Sequence, residues 1–128
     1  MQADVVFTVI FKKDGNFLAA PTVLGEFGRE VRLEVPNVMR VLVLAMAPDE
    51  DGRSFTSAKM AIFQDNEWQP PEEMSMEANL SMTPSFEYTV PNAPCRFVVM
   101  PRRIVPVSPD GQYLAVGETS RTTIWHFK

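Results

Sequence analysis

The chain has one cysteine and one histidine. It has no apolar run near the ~20 residues that a membrane-spanning helix needs. Cys95 has no second cysteine to bridge to, and a domain of 128 residues can build its core without such a staple. With His126 alone, zinc sites of two cysteines and two histidines, of four cysteines or of three histidines cannot form within one chain, and a blue-copper site is one histidine short. Positive charge is scarce as well. Lys plus Arg number 12 against 16 Asp plus Glu, a net charge of −4, which argues against nucleic acid or an anionic membrane as the main partner. Phosphate-cradling glycine loops and the Gly-x-Ser-x-Gly elbow are missing, so nucleotide binding and serine hydrolysis have no anchor. The start, Met1-Gln2-Ala3-Asp4, lacks the basic stretch and apolar core of a signal peptide. The chain is therefore expected in the cytoplasm, or in the periplasm or cell envelope if a signal has been removed.

What is present is an ordinary globular composition, 45% hydrophobic and 22% charged, long enough for a single domain over residues 1–128. The dominant hydrophobic period is two. From Met74 to Met82, Met74, Met76, Ala78, Leu80 and Met82 fall on one face, and Ser75, Glu77, Asn79 and Ser81 on the other. This is the pattern of a half-buried strand, whose successive side chains point to opposite faces. Val31, Leu33 and Val35, and again Phe86, Tyr88 and Val90, alternate in the same way. Val5–Phe11, Val38–Ala47 and Phe97–Met100 are apolar on both faces and predict central, covered strands.

Asp14-Gly15, Asp51-Gly52 and Asp110-Gly111 are hairpin dipeptides, and Pro36-Asn37, Pro70-Pro71, Pro84-Ser85 and Pro91-Asn92 end strands. The spacing of these turns predicts an all-β antiparallel sandwich, immunoglobulin-like or related, with about eight to ten strands. The acidic stretch Asp65–Glu73 is the expected place for a helical turn. The expected core is Val5, Phe7, Val9, Leu33, Val41, Val43, Ile62, Met76, Leu80, Phe86, Tyr88, Phe97, Val99, Leu114 and one of Ile124 or Trp125.

Two stretches resemble known families. Asp14-Gly15, Pro21-Thr22-Val23, Gly28 and Val31-Arg32-Leu33, within residues 14–35, are similar to a strand–turn–strand pattern in small β domains of bacterial envelope proteins. These include domains associated with secretins and with regulatory or TonB-type systems, and the resemblance implies an envelope module. Ser108–Gly117 followed by Ile124-Trp125 resembles one segment of a WD-repeat propeller blade, with His126 where that family has Asp. A propeller needs at least about four blades of four strands, so the chain is too short to close one, and the likeness reads as convergence on a good hairpin.

Three sets of residues carry candidate chemistry. Met74, Met76 and Met82 are soft thioether ligands on one predicted face and form an alternative Cu(I) site; their alternation with Ala78 and Leu80 fits core packing better. Cys95, next to Arg96, is an alternative nucleophile with His126 as base, although no orienting third group accompanies them. The loop Pro48-Asp49-Glu50-Asp51-Gly52 offers oxygen ligands for Ca²⁺ without a full calcium-loop pattern. The reading that remains is a non-enzymatic protein-interaction or assembly module without a cofactor, joining a protein partner or a second copy through strand edges and loops. Arg102, Arg103, Arg121 and Trp125 are the expected partner-binding residues, and Ala3–Phe11 and Thr119–Phe127 the expected outermost segments.

Overall fold

A computed structural model describes residues 3–91, 93–108, 112–115 and 124–126, without the side chains of residues 107, 108, 112, 115 and 124–126. Among these residues it holds twelve strands and one 3-10 turn. The strands are β1 (Val5–Lys13), β2 (Asn16–Ala19), β3 (Thr22–Gly25), β4 (Val31–Val35), β5 (Met39–Ala45), β6 (Arg53–Gln64), β7 (Glu67–Trp68), β8 (Glu72–Asn79), β9 (Phe86–Thr89), β10 (Cys95–Ser108), β11 (Gln112–Ala115) and β12 (Ile124–His126); the 3-10 turn is Leu80–Met82. All strand pairs are antiparallel.

The strands form two sheets. In the first, β1 and β10 lie side by side; β2 and β3 share the far edge of β1, and β9 and β11 share the far edge of β10, with β12 beyond β11. In the second, β4, β5 and β6 run as a meander, and β8 and the short β7 share the far edge of β6. The chain changes sheet between β3 and β4 and again between β8 and β9. The count exceeds the expected eight to ten because edges are shared by pairs of short strands, which turn signals alone do not separate.

Alternation sets the core. Val5, Phe7, Val9 and Phe11 of β1 and Cys95, Phe97 and Val99 of β10 face Leu33, Met39, Val41, Val43, Ala45, Ala58, Met60 and Ile62 of the second sheet. Leu80 closes one end. The opposite faces of β1 and β10 are also partly covered, because Val6, Ile104, Ala3 and Tyr113 form a second cluster against Leu24. This explains the runs that are apolar at both parities. Met76 and Tyr88 pack at the core margin, while Phe86 and Leu114 are only half-buried and belong to neither cluster; the expected core overreached there. Ile124 and Trp125 have side chains outside the described residues.

Several local expectations are corrected. The segment Ala3–Phe11, expected outermost, holds most of β1, which is central as its run of apolar residues on both faces predicts, with β10 on one side and β2 and β3 on the other. The strand expected to run from Met74 to Met82 stops at Asn79, whose side chain accepts a 2.9 Å hydrogen bond from the Ser81 amide and starts the 3-10 turn. Thr83 then takes a left-handed φ of 51° before Pro84 and ends that turn. The expected helical turn at Asp65–Glu73 is a hairpin: Asp65 and Asn66 both have positive φ, 57° and 62°, the geometry of a two-residue type I′ turn. Asp14-Gly15 makes the same turn as expected, with φ of 53° and 78°. Strand β10 continues past the expected end at Met100. Pro101 falls between the stretch covered by β9 and the stretch covered by β11, so no ladder bond on that edge misses its N–H.

Phe97 is fully buried and stacks at 4.9 Å on Phe11. Phe97→Ala is expected to lower stability by about 3–5 kcal/mol in urea unfolding, whereas Phe17→Ala, at an exposed hairpin position, changes it by about 0.5 kcal/mol or less.

Candidate interaction surface

Among the described residues, those singled out from the sequence do not converge. Met74 and Met76 share the inner face of β8, opposite Ala58 and Thr56, and pack against the core. Met82 leaves that face at the end of the 3-10 turn and is 57% exposed. Cys95 opens β10, buried and opposite Lys13. Burial pushes its thiol pKa up; nearby Lys13 opposes the shift and Asp14 adds to it, so the group is a thiol rather than a thiolate. It borders a hollow of about 350 Å³ with Lys12, Asp14, Thr89 and Arg96. The His126 backbone pairs with Gln112, which pairs with Ser108 at the other end of the fourteen-residue β10. At ~3.3 Å per residue that strand spans roughly 40 Å.

Arg102 and Arg103 are consecutive on β10 and point to opposite faces, across from Val6 and Val5. Arg121 lies outside the described residues, as does the side chain of Trp125. In the acidic loop, Asp49 is used internally: one carboxylate oxygen accepts hydrogen bonds from the Asp51 amide at 2.9 Å and the Arg53 amide at 3.0 Å. Among the described residues, no group of three His, Cys, Asp or Glu is arranged to hold a metal ion.

What the fold does bring together lies on the second sheet. Among the described residues strand β4 ends that sheet and pairs with β5 alone. Among the described residues, no loop or side-chain hydrogen bond reaches the backbone of Val31–Glu34, so the outward N–H and C=O groups of this edge are open. Alternation buries Leu33 and turns Arg32 and Glu34 to solvent. Glu34 accepts a 2.8 Å hydrogen bond from Arg32, and the Arg40 guanidinium lies 3.2 Å from the same oxygen. Arg40 also sits 4.1 Å over the Trp68 ring, and Trp68 meets Phe63 edge-on at 5.4 Å. A line of polar and aromatic contacts therefore runs from the edge strand across the outer face of the sheet.

Trp68 is placed by the Asp65-Asn66 turn and by Gln69, whose side-chain amide donates to the Gln64 carbonyl at 2.9 Å. Beside it Leu42, Lys59, Ala61, Pro70 and Pro71 line a hollow of about 450 Å³. Farther along the same face Phe55 is 62% exposed. Sequence reading missed Arg40 and Trp68. The parity of Arg32, Glu34 and Arg40 about the Pro36-Asn37 turn is legible in the sequence, whereas the position of Trp68 depends on the Asp65-Asn66 hairpin, where a helical turn is expected.

Compared with family models, with curated proteins and with solved structures, the chain matches none.

The buried thiol yields a pH prediction. Folding raises the Cys95 pKa, so above the ordinary thiol range the unfolded state releases a proton that the folded state retains. Its contribution to stability is intact below that range and is lost as pH rises through it. Urea midpoints measured at pH 7 and pH 9.5 are expected to fall less for Cys95→Ala than for the unaltered chain.

Proposed function

We propose that this protein is a non-enzymatic interaction or assembly module that binds through strand edges and loops, in service of a bacterial cell-envelope system. The observation that carries this reading is the open edge of β4, whose outward backbone groups over Val31–Glu34 meet no loop or side-chain hydrogen bond among the described residues and lie beside exposed charge. An incoming strand gains main-chain hydrogen bonds there, while alternate side chains of both strands supply specificity. Phe55 and the hollow beside Trp68 add apolar surface on the same sheet. The resemblance of residues 14–35 to small envelope β domains supports the cellular setting, and this stretch contains β4 itself.

A photoreactive amino acid placed singly at Arg32, Ser75 and Glu87, on β4, β8 and β9, tests the reading in cells expressing the full chain. Discrete protein adducts, identified by mass, are expected from at least one edge position and not from Thr8 in central β1. Absence of a discrete adduct at all three edges overturns it.

A further inference from the structure

We infer that two copies of this chain associate by antiparallel pairing of their β4 edges about Leu33, joining their second sheets into one. The inference rests on the assembly reading above and names its partner.

The argument is one of charge and register. Val31-Arg32-Leu33-Glu34-Val35 is a palindrome in residue type with its two charges of opposite sign. When two such strands pair antiparallel about Leu33, Leu33 meets its counterpart and Val31 meets Val35 of the second copy. On the solvent face Arg32 meets Glu34 of the second copy, and Glu34 meets Arg32. Opposite charges directly across a strand pair stabilise it, and like charges destabilise it. The Arg32–Glu34 contact within the strand becomes one side of an alternating square of four charges. The inner face stays apolar, since Leu33 is buried and Val31 and Val35 pack against the core.

Alternative registers that keep inner residues facing inner residues are penalised. A two-residue slip one way sets Glu34 against Glu34 and Arg32 against Pro36. The opposite slip sets Arg32 against Arg32 and Glu30 against Glu34. Pro36 also bounds the pairing, having no N–H to offer. The edge is thus self-complementary in a single register, as a two-fold symmetric contact requires.

Charge variants of the full chain test this. Sedimentation equilibrium of the unaltered chain is expected to show reversible dimerisation. R32E and E34R each oppose like charges and are expected to weaken it about tenfold or more. Mixing the R32E chain with the E34R chain is expected to restore a dimer containing one of each, since every Glu then faces an Arg. The double variant R32E/E34R is expected to dimerise as the unaltered chain does. Circular dichroism and thermal unfolding check that each variant is folded. E34R also places an Arg beside Arg40, so a charge-independent measurement accompanies the series. Chains carrying R32C and E34C, mixed and mildly oxidised, are expected to form the mixed disulfide in preference to either like-with-like product.

An unaltered chain that stays monomeric at millimolar concentration, a dimer indifferent to the charge variants, or no preference for the mixed disulfide overturns the β4 pairing. The assembly reading then stands or falls separately, by whether any edge position gives adducts in cells.

Discussion

The nine-residue ladder between β1 and β10, from Val5 opposite Arg103 to Lys13 opposite Cys95, is the pairing from which the rest of the first sheet is hung. Among the described residues β2 and β3 attach only to β1, β9 only to β10, and β11 to β10 with β12 beyond it. The same ladder supplies Phe7, Val9, Phe97 and Val99 to the floor of the core, and without it the apolar face of β5 and β6 has nothing to close on. It joins segments some ninety residues apart in the chain, so its loop-closure entropy is met late and its formation is slow. The meander from β4 to β8 has only local pairings and can form first. Before the ladder closes, the inner face of that meander is exposed, which is the state most prone to aggregation.

How much of this was legible follows from what is local. Hydrophobic pattern is local, so β4 with its inward Leu33 is readable from period two, and β1, β5 and the start of β10, with Val5, Phe7, Val41, Phe97 and Val99, are readable from runs that are apolar on both faces. The Asp14-Gly15 turn was readable because glycine tolerates positive φ. Asp65-Asn66 makes the same turn without glycine, so the acidic stretch carries no comparable hairpin signal. Which strands are neighbours is not local. A segment at the chain's start with alternating apolar residues can sit at an edge or at the centre, and only the distant β10 decides. Val6 and Ile104 were the available hint, since a strand apolar at both parities is covered on both faces. The candidate surface was half legible: the exposure of Arg32 and Glu34 follows from alternation, whereas the stack of Arg40 on Trp68 depends on where β7 returns to β6.

Open edges in one molecule are not equivalent, and the differences are written in charge and geometry. Pairing β8 with itself about Ser75 would set Glu73 against Glu77, and β9 carries the exposed Glu87 at its middle. β2 is four residues long with a register shift against β1, and β3 is equally short and follows Pro21. Short length, proline, irregularity and charge of one sign are the ordinary means by which edges are kept from indiscriminate pairing. β4 carries charge too, but as a cation and an anion placed symmetrically about an inward leucine. Such a pair sets like charges together in slipped registers and opposite charges together in the two-fold one, so in the proposed pairing the same two side chains oppose random contacts and favour a single register. Arg40 holds Glu34 from the neighbouring strand, which limits the conformations that Glu34 must give up on pairing. The local corner adds to this. Gly25 of β3 lies where an added Cβ would come to 3.0 Å from the side chains of Phe7 and Val31, so a residue without a side chain lets β3 pack closely against the start of β4.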